Sequence, residues 1–495
     1  MPWSLLRSEC GKCYLPQRFI LVMLITAAII VSYGQRVNFS MVVAEMAVKC
    51  EKTAPSPCAV ELNGTTLRSR ANDENKQQWS QQDQAVLLAS FFVGYVLMHL
   101  PGGYISDKFG ARIIFTLSIC ISSFCTILFP LIVDYCGFVC VVIFRAIIGI
   151  AQASVFPNVT TLMGRWIPKT ERATMGGIAF AANSWGIVIG NLVTGVFHQA
   201  LGWRSVFYIW GALGITWYFF ALIWLYSDPD SCPVITEKEY AFLNENIPKK
   251  EELKLDVKGI LLDPAVWALV AGQFGHAYLI FFLATNMPKY FSEVLNVNMK
   301  QNMWVNSMPY ILQWISSVIS GQLGDYNIKK RGWDVNFTRK FYTTVASVLP
   351  SICLLIMPYL ECEVMGVIIL LCLSLFTMGP FYCGLKVNVI DLTKNFSGFV
   401  MAIVNGLGAV AGIMSPSIVG WLAPDHTFEQ WVIVMWIIFA IASITNIIYV
   451  IWGEADRRPW DMNPDEKAAY HDAADKKKAE KAAKKAEKKA NKSKE

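Results

Sequence analysis

The chain has 495 residues, of which 54% are hydrophobic and only 16% are charged. Soluble domains carry about 25% charged residues, so this composition excludes a soluble enzyme or binding module of this size. The net charge of +6 is concentrated between His471 and Glu495, where ten lysines accompany five acidic residues, and we expect no nucleic-acid partner because basic patches interleaved with aromatic residues are absent.

Twelve apolar segments are each long enough to cross a bilayer, which takes about 20 residues in a helix. The sequence therefore predicts an all-α membrane protein with twelve transmembrane helices, and an even number places both termini on one side. The predicted spans are 19–45, 84–106, 113–134, 138–162, 173–198, 203–226, 264–289, 302–324, 339–359, 363–386, 396–421 and 428–452.

Basic residues in the short loops are concentrated on one side of the predicted membrane. The opposite loops, near 135–137, 199–202, 360–362 and 422–427, carry none. By the positive-inside rule, both termini are cytoplasmic. The residues on the cytoplasmic side are Arg7, Lys12, Arg18, Lys108, Arg112, Arg165, Lys169, Arg172, Lys329, Lys330, Arg331, Lys386 and Lys394.

The longest cytoplasmic loop divides the spans into six and six. The predicted organisation is a cytoplasmic N-terminus at 1–18, an N-terminal six-helix bundle at 19–226 with an extracellular loop at 49–82, a central cytoplasmic loop at 227–263, a C-terminal six-helix bundle at 264–452 and a lysine-rich cytoplasmic tail at 453–495.

The extracellular loop contains the acceptor pattern for N-glycosylation at Asn63, and the other such patterns lie in spans or on the cytoplasmic side. Cys50 and Cys58 share this loop in an oxidising compartment, where they either form a disulfide or remain two free thiols. The isolated Cys10-x-x-Cys13 lacks the second ligand pair that a zinc site needs, so no metal site is predicted.

Two motifs recur in equivalent spans of the two halves. Gly103-x-x-x-Asp107 follows the second span and Gly321-x-x-x-Asp325 follows the eighth, with basic residues behind both. Asn183-x-x-Gly-x-x-x-Gly in the fifth span matches Asn405-x-x-Gly-x-x-x-Gly in the eleventh. Repeated bundles that rock about a central site are a common plan of secondary transporters.

The repeated motifs have a direct physical interpretation. Small residues spaced four apart let helices approach closely, for packing alone or for rocking. Asp107, Arg112 and Asp325 lie at the cytoplasmic ends of spans, where we predict charge latches between neighbouring helices that break when a bundle tilts. The alternative is that these are ordinary loop charges.

Two arginines stand out well inside predicted spans, where a charge costs about 2.5–3.5 kcal/mol and indicates function by default. Arg36 in the first span and Arg145 in the fourth have similar depths below the outer surface, which predicts one anion site between them. Guanidinium groups grip carboxylate or phosphate oxygens at two points. The alternatives are that Arg36 snorkels outward or pairs with Glu45, and that Arg145 pairs with a neighbouring polar group.

The sequence gives fewer signals for the residues that couple transport to an ion gradient than for the anion site. Proton relays usually need an intramembrane carboxylate or histidine, and no Asp or Glu lies near the middle of a predicted span. Gln152 occupies a suitable turn but does not titrate, whereas His276 is central and titratable or else is a packing histidine. The scarcity of carboxylates favours sodium as the coupling ion.

Further motifs identify a family. They include Arg36-Val-Asn-Phe-Ser-Met, Pro101-Gly-Gly-Tyr, Arg145-x3-Gly-x7-Pro157, Trp166-x-Pro168-x3-Arg172, Gly202-Trp-Arg-x-Val-Phe-Tyr-Ile and Asn388-x2-Asp391. The sequence resembles the major facilitator superfamily and, within it, the anion–cation symporters: the sodium–phosphate cotransporters, sialin and the vesicular glutamate transporters. It looks most like insect proteins described as inorganic phosphate cotransporters.

The resemblance implies a twelve-helix fold with alternating access and assigns the arginines matching Arg36 and Arg145 to the anion site. Gln152 stands where sialin-like and glutamate-type members have a glutamate tied to proton coupling. Leu88 replaces a histidine of the glutamate-type members, and His276 replaces an arginine. These departures favour the phosphate or general organic-anion branch.

The sequence thus predicts a symporter of inorganic phosphate or small organic anions with Arg36, Arg145 and His276 at the substrate, and Gln152, Asp107, Arg112 and Asp325 in coupling or gating. It needs no cofactor beyond sodium as the coupling ion. The alternative is a proton-coupled organic-anion carrier of lysosomes or vesicles. We expect a monomer in a lipid bilayer, at the plasma membrane or in a vesicle or lysosome membrane, and no enzyme, because HExxH, Walker and nucleophile-elbow motifs are absent.

Overall fold

A computed structural model describes residues 15–46, 79, 81–247, 253–287, 290–295, 299–423 and 427–468, and the regular structure in them is helical. The predictions for Asn63, for the pair Cys50 and Cys58, for Cys10-x-x-Cys13 and for the end of the tail lie outside these residues. The side chains of Glu45 and Asp107 also lie outside the description.

The helices of the first half follow the six predicted spans. Two spans are each divided by a single residue near the middle, at Ser154 and at Ala181. The helices are α1 Gln17–Met46, α2 Gln81–Phe109, α3 Ala111–Tyr135, α4 Phe138–Ala153, α5 Val155–Trp166, α6 Arg172–Phe180, α7 Ala182–Leu201 and α8 Trp203–Trp224.

The predicted central loop contains two short helices, α9 Glu237–Asn246 and α10 Val257–Leu262, and a 3₁₀ turn at Pro229–Ser231. The carboxylate of Glu239 accepts a hydrogen bond from the backbone N–H of Gln17 at 2.8 Å. It also lies 3.7 Å from the Arg18 guanidinium. The loop is therefore fixed to the N-terminal end of α1, which is the predicted cytoplasmic end.

The second half repeats the plan, with α11 Pro264–Thr285 as the seventh span and α12 Met299–Arg331 as the eighth. The tenth and eleventh spans are again each made of two helices. The remaining helices are α13 Val335–Ile356, α14 Val364–Met378, α15 Leu385–Leu392, α16 Ser397–Gly408, α17 Ala411–Leu422 and α18 Phe428–Trp452, with a π turn at Tyr290–Val294 and 3₁₀ turns at Met357–Leu360, Gly379–Tyr382 and Pro459–Asp461.

Among the described residues, 11 helices or divided helices are long and apolar enough to cross a membrane. The predicted eighth span lies within α12, whose 33 residues carry too many polar side chains to be counted among them. Large apolar side chains such as Phe124 and Ile223 point outward, while Ser122 and Asn158 are fully buried. This polarity, apolar outside and polar inside, is that of a bundle surrounded by lipid, and the predicted fold class is confirmed.

The repeated glycines lie at equivalent contacts in the two halves. A Cβ on Gly186 of α7 would lie 2.5 Å from Tyr33 Cβ in the first span, and a Cβ on Gly408 of α16 would lie 2.6 Å from Gln273 in the seventh. Each divided span thus packs closely on the first helix of its own bundle, as small residues at helix interfaces permit.

Candidate functional site

Arg36 and Arg145 both lie over one aromatic ring. The Cζ atom of Arg36 is 4.6 Å from the ring centroid of Phe91, and the Cζ atom of Arg145 is 5.3 Å from the same centroid. The two guanidinium groups are therefore separated by at most the sum of these distances. The structure brings together, from the first and fourth spans, the two arginines that the sequence predicted at one site.

Close packing between α2 and α4 puts Phe91 in this position. A Cβ on Gly149 would lie 2.0 Å from the carbonyl oxygen of Phe91, and a Cβ on Gly94 would lie 2.1 Å from the carbonyl oxygen of Ala146. Only glycine allows the two backbones this approach. Because Arg145 lies one turn before Gly149, the close packing of Gly149 on Phe91 also places the Arg145 side chain beside the Phe91 ring.

The arginine pair carries two positive charges that no described carboxylate neutralises. Arg145 is 3% exposed, Arg36 is partly exposed, and the Nε atoms of both have no hydrogen-bond partner among the described groups. A buried unpaired cation costs several kcal/mol. A cation–π contact returns only about 0.5–2 kcal/mol. The rings alone therefore leave the charge of the buried Arg145 undercompensated, and an anion between the two arginines would offset the remainder.

Gln152 lies in a buried polar network inside the first bundle. Its Nε2 atom donates to Gln35 Oε1 at 3.2 Å, and Ser122 donates to the same oxygen at 3.0 Å. Gln35 in turn donates to Ser123 at 2.8 Å. The Oε1 atom of Gln152 is buried without a hydrogen-bond partner among the described residues. Gln152 lies two helical turns beyond Arg145 in the same span, and its described hydrogen-bond partner is the neutral amide of Gln35.

His276 is buried in α11 and stacks on the ring of Phe381, with centroids 3.5 Å apart and planes 1° from parallel. Tyr382 lies edge-on at 5.9 Å. Both ring nitrogens lack a hydrogen-bond partner in the described part of the chain. The histidine is thus central, as the sequence predicted, but its described contacts are to aromatic residues of the tenth span rather than to either arginine.

Lys386 lies inside the tenth span. The sequence predicted that the span ends at this residue and that Lys386 is a cytoplasmic loop charge, and this prediction is wrong. The span extends to Leu392. The lysine is 4% exposed and donates from Nζ to Asn405 Oδ1 at 2.8 Å. The apolar run after the break at Gly379-Pro380 was the signal that the span continues beyond Lys386.

The two repeated asparagines, Asn183 and Asn405, each form a hydrogen bond with a residue of the opposite bundle. Asn405 of α16 donates to the hydroxyl of Tyr95 in α2 at 3.0 Å. Asn183 of α7 accepts from the hydroxyl of Tyr382 in the tenth span at 3.0 Å. The sequence repeat predicted equivalent positions but gave no partner for either amide, because the partners come from the opposite half of the chain.

Acidic and basic residues join the bundles at the predicted cytoplasmic side. Asp391 accepts from Arg172 Nη1 at 2.8 Å and from Arg339 Nε at 2.9 Å, and all three residues are at most 5% exposed. Asp325 accepts from the backbone N–H of Thr174 at 2.9 Å and from its hydroxyl at 2.5 Å. We call these five residues the cytoplasmic gate.

The gate includes one of the three residues predicted for it. Asp325 links α12 to α6 of the other bundle, although its partner is a threonine rather than a basic residue. Arg112 donates to the carbonyl oxygen of Leu222 at 2.6 Å, so its described contact ties α3 to α8 within one bundle. The latch predicted for Asp107 depends on a side chain outside the description. The Arg172 and Asp391 motifs were noted in the sequence without a role.

The fold matches a solved transporter. The proton:xylose symporter XylE, bound to 6-bromo-6-deoxy-D-glucose, superposes with a TM-score of 0.63 at 14% sequence identity, covering 89% of this chain and 96% of that one. At this identity the likeness shows the fold alone.

Curated relatives match along nearly the whole chain. The mouse (Mus musculus) protein named sodium-dependent phosphate transport protein 3 is 27% identical over 92% of this chain and 97% of its own length. Human (Homo sapiens) sialin is 26% identical over 92% of this chain and 93% of its own. The predicted likeness to insect phosphate cotransporters is confirmed as well.

The sequence profile of the Major Facilitator Superfamily matches residues 18–416. This match covers both bundles through most of the eleventh span and agrees with the fold. The chain is therefore a multi-pass membrane transporter and not an enzyme, and it belongs to the Major Facilitator Superfamily.

Proposed function

We propose that this transporter is a symporter that moves inorganic phosphate or small organic anions by alternating access, coupled to sodium. The observation that supports the substrate class is the pair Arg36 and Arg145 on the Phe91 ring, without a described carboxylate near either. Two guanidinium groups supply paired N–H donors that fit the oxygens of phosphate or carboxylate.

Sodium coupling is supported by the chemistry around Gln152. Its unpartnered Oε1 atom and the oxygens of Gln35 and Ser122 are neutral groups of the kind that hold a dehydrated sodium ion. The name of the mouse relative also describes sodium-dependent phosphate transport. In this proposal, Gln152 supplies a sodium ligand on the same span as Arg145.

The test is uptake of radiolabelled phosphate into proteoliposomes that contain the purified full-length protein. Uptake driven by an inward sodium gradient should exceed uptake with choline in its place. Arg145→Gln should lose this uptake, whereas Arg331→Gln, which changes an exposed arginine at the end of α12, should keep it. An unchanged rate in Arg145→Gln would contradict the anion site.

A separate variant tests the coupling to sodium. Gln152→Leu removes the amide oxygen and should leave uptake that no longer responds to sodium. Sodium-independent uptake by the unaltered protein would remove the coupling claim while leaving the anion site in place.

A proton-coupled carrier of organic anions is the second candidate, and the two unpartnered ring nitrogens of His276 favour it. In that case an inward proton gradient should drive uptake of an organic anion without sodium, and His276→Gln should abolish the pH dependence. Uptake that follows sodium and ignores the proton gradient would exclude this alternative.

A further inference from the structure

Lys386 is a buried cation that comes from the opposite bundle to the arginine pair. It lies in the first turn of α15, directly after the 3₁₀ turn Gly379–Tyr382. Its Nζ atom donates to Asn405 and lies 4.9 Å from the ring centroid of Phe156 in α5. The side chain therefore reaches from the second bundle to the first.

No carboxylate in the described part of the chain pairs with Lys386. Asp391 follows it in α15, but Arg172 and Arg339 already bind both oxygens of that carboxylate. Among the described residues, the Lys386 charge thus meets only neutral groups: the amide oxygen of Asn405, the sulfur of Met401 at 3.9 Å and the face of the Phe156 ring.

Two short routes of contact connect Lys386 to Arg36. In the first, the Phe156 ring beside Lys386 lies 6.3 Å from the Tyr33 ring, and Arg36 lies 4.6 Å from the Tyr33 centroid. In the second, Asn405 binds the hydroxyl of Tyr95, and Arg36 lies 4.9 Å from the Tyr95 centroid. The lysine and the arginine therefore border the same group of aromatic side chains.

We propose that Lys386 is a substrate-binding residue that makes this transporter select anions carrying two or more negative charges over monovalent anions. The inference rests on the proposed anion site at Arg36 and Arg145. Three cations without a described carboxylate exceed the charge of a monovalent anion, whereas a divalent anion matches them more closely. Because Lys386 belongs to the other bundle, a substrate that contacts all three cations also draws the bundles together.

The alternative is that Lys386 only holds Asn405 in place. Lys386→Gln and Lys386→Met distinguish the two roles. Glutamine keeps a donor for Asn405 without the charge, and methionine keeps the length and apolar stem beside Phe156. A purely structural lysine would change stability but not the preference between anions that differ only in charge.

The experiment measures the thermal stabilisation of the purified full-length protein by succinate, by its monoamide succinamate and by inorganic phosphate. Succinate and succinamate have nearly the same shape at pH 7.5 but carry two charges and one. The unaltered protein should bind succinate at least tenfold more tightly than succinamate. Both Lys386 variants should lose most of this ratio through weaker succinate binding, and Lys386→Arg should restore part of it.

Lys330→Gln is the control, because Lys330 is an exposed lysine at the end of α12 and should keep the full ratio. A ratio in both Lys386 variants equal to that of the unaltered protein would overturn the proposal, as would equal responses of the unaltered protein to the two probes. Arg145→Gln separates the two proposals: if it binds every probe as the unaltered protein does, the anion site itself fails.

Discussion

The basic residues at the centre of the molecule and those in its cytoplasmic gate have opposite surroundings. In the gate, Arg172 and Arg339 share the carboxylate of Asp391 at 2.8 and 2.9 Å. At the centre, Arg36 and Arg145 contact aromatic rings, and the described residues offer neither of them a carboxylate.

This difference distinguishes charged residues that hold the fold together from charged residues that bind a ligand. A buried ion pair in which the opposite charges compensate each other holds two helices together. Removing one partner leaves an uncompensated buried charge. Buried cations that the protein leaves uncompensated are costly on their own and become favourable when an anion enters. The gate should therefore respond to mutation through conformation and stability, and the centre through ligand affinity.

The largest effect is expected from Asp391→Asn. This change leaves two buried arginines facing a neutral amide, which should destabilise the closed cytoplasmic side by about 3–5 kcal/mol. Cys383 is a buried free cysteine whose carbonyl oxygen accepts a hydrogen bond from Arg339 at 2.7 Å, so it reports on this region. Its labelling by a thiol reagent, followed by mass spectrometry of its peptide, should accelerate strongly.

Asp134→Asn is the matched control for the gate, because Asp134 pairs with Arg204 at 2.8 Å in a more exposed position. Exposed ion pairs contribute about 0–1 kcal/mol, so Cys383 labelling should hardly change. Equal labelling rates in the two variants would mean that the Asp391 triad does not hold the cytoplasmic side closed.

Arg145→Gln should weaken anion binding by roughly 100-fold, in line with the loss of charge-assisted hydrogen bonds to a desolvated anion. Its thermal stability without anion should be unchanged or higher, because the substitution removes an uncompensated buried charge. Differential scanning fluorimetry with and without phosphate measures both quantities. A large loss of stability without ligand would show that Arg145 is structural, like the gate arginines.

Gly103→Val tests the gate by steric means. A Cβ at this position would lie 2.5 Å from Ala402 Cβ and 2.9 Å from the carbonyl oxygen of Gly398 in the other bundle. Such overpacking costs about 1–3 kcal/mol and should favour a conformation open to the cytoplasm, with faster Cys383 labelling. At Gly420, no described atom outside its own stretch of helix lies within 4 Å of an added Cβ, so Gly420→Val should leave labelling unchanged.

Thr174→Val should have the smallest effect. It removes the hydroxyl donor to Asp325 but keeps the backbone N–H donor, so the closed side should lose about 1 kcal/mol. Cys383 labelling should rise several-fold at most. Thr216→Val, whose hydroxyl bonds only within its own exposed turn, provides the comparison. An effect as large as that of Asp391→Asn would mean that Asp325, rather than Asp391, carries the gate.

Local sequence patterns predicted the helical fold and the proximity of Arg36 and Arg145, because hydrophobic length and an isolated charge in an apolar run are local signals. The central loop, the repeated motifs and the family resemblance all indicated two six-helix bundles. Contacts between distant spans were less accessible: the Arg172–Asp391–Arg339 triad joins three separate helices. Lys386 was missed because a broken span looks shorter than it is, and a basic residue after a predicted span resembles a loop charge.

The most direct test of the central claim is a structure of the full-length protein with bound selenate, a divalent tetrahedral anion whose selenium is located by anomalous diffraction. The account predicts selenium between Arg36 and Arg145, with selenate oxygens within hydrogen-bond distance of both guanidinium groups. Selenate bound elsewhere, with the two arginines unchanged and without an anion, would contradict it.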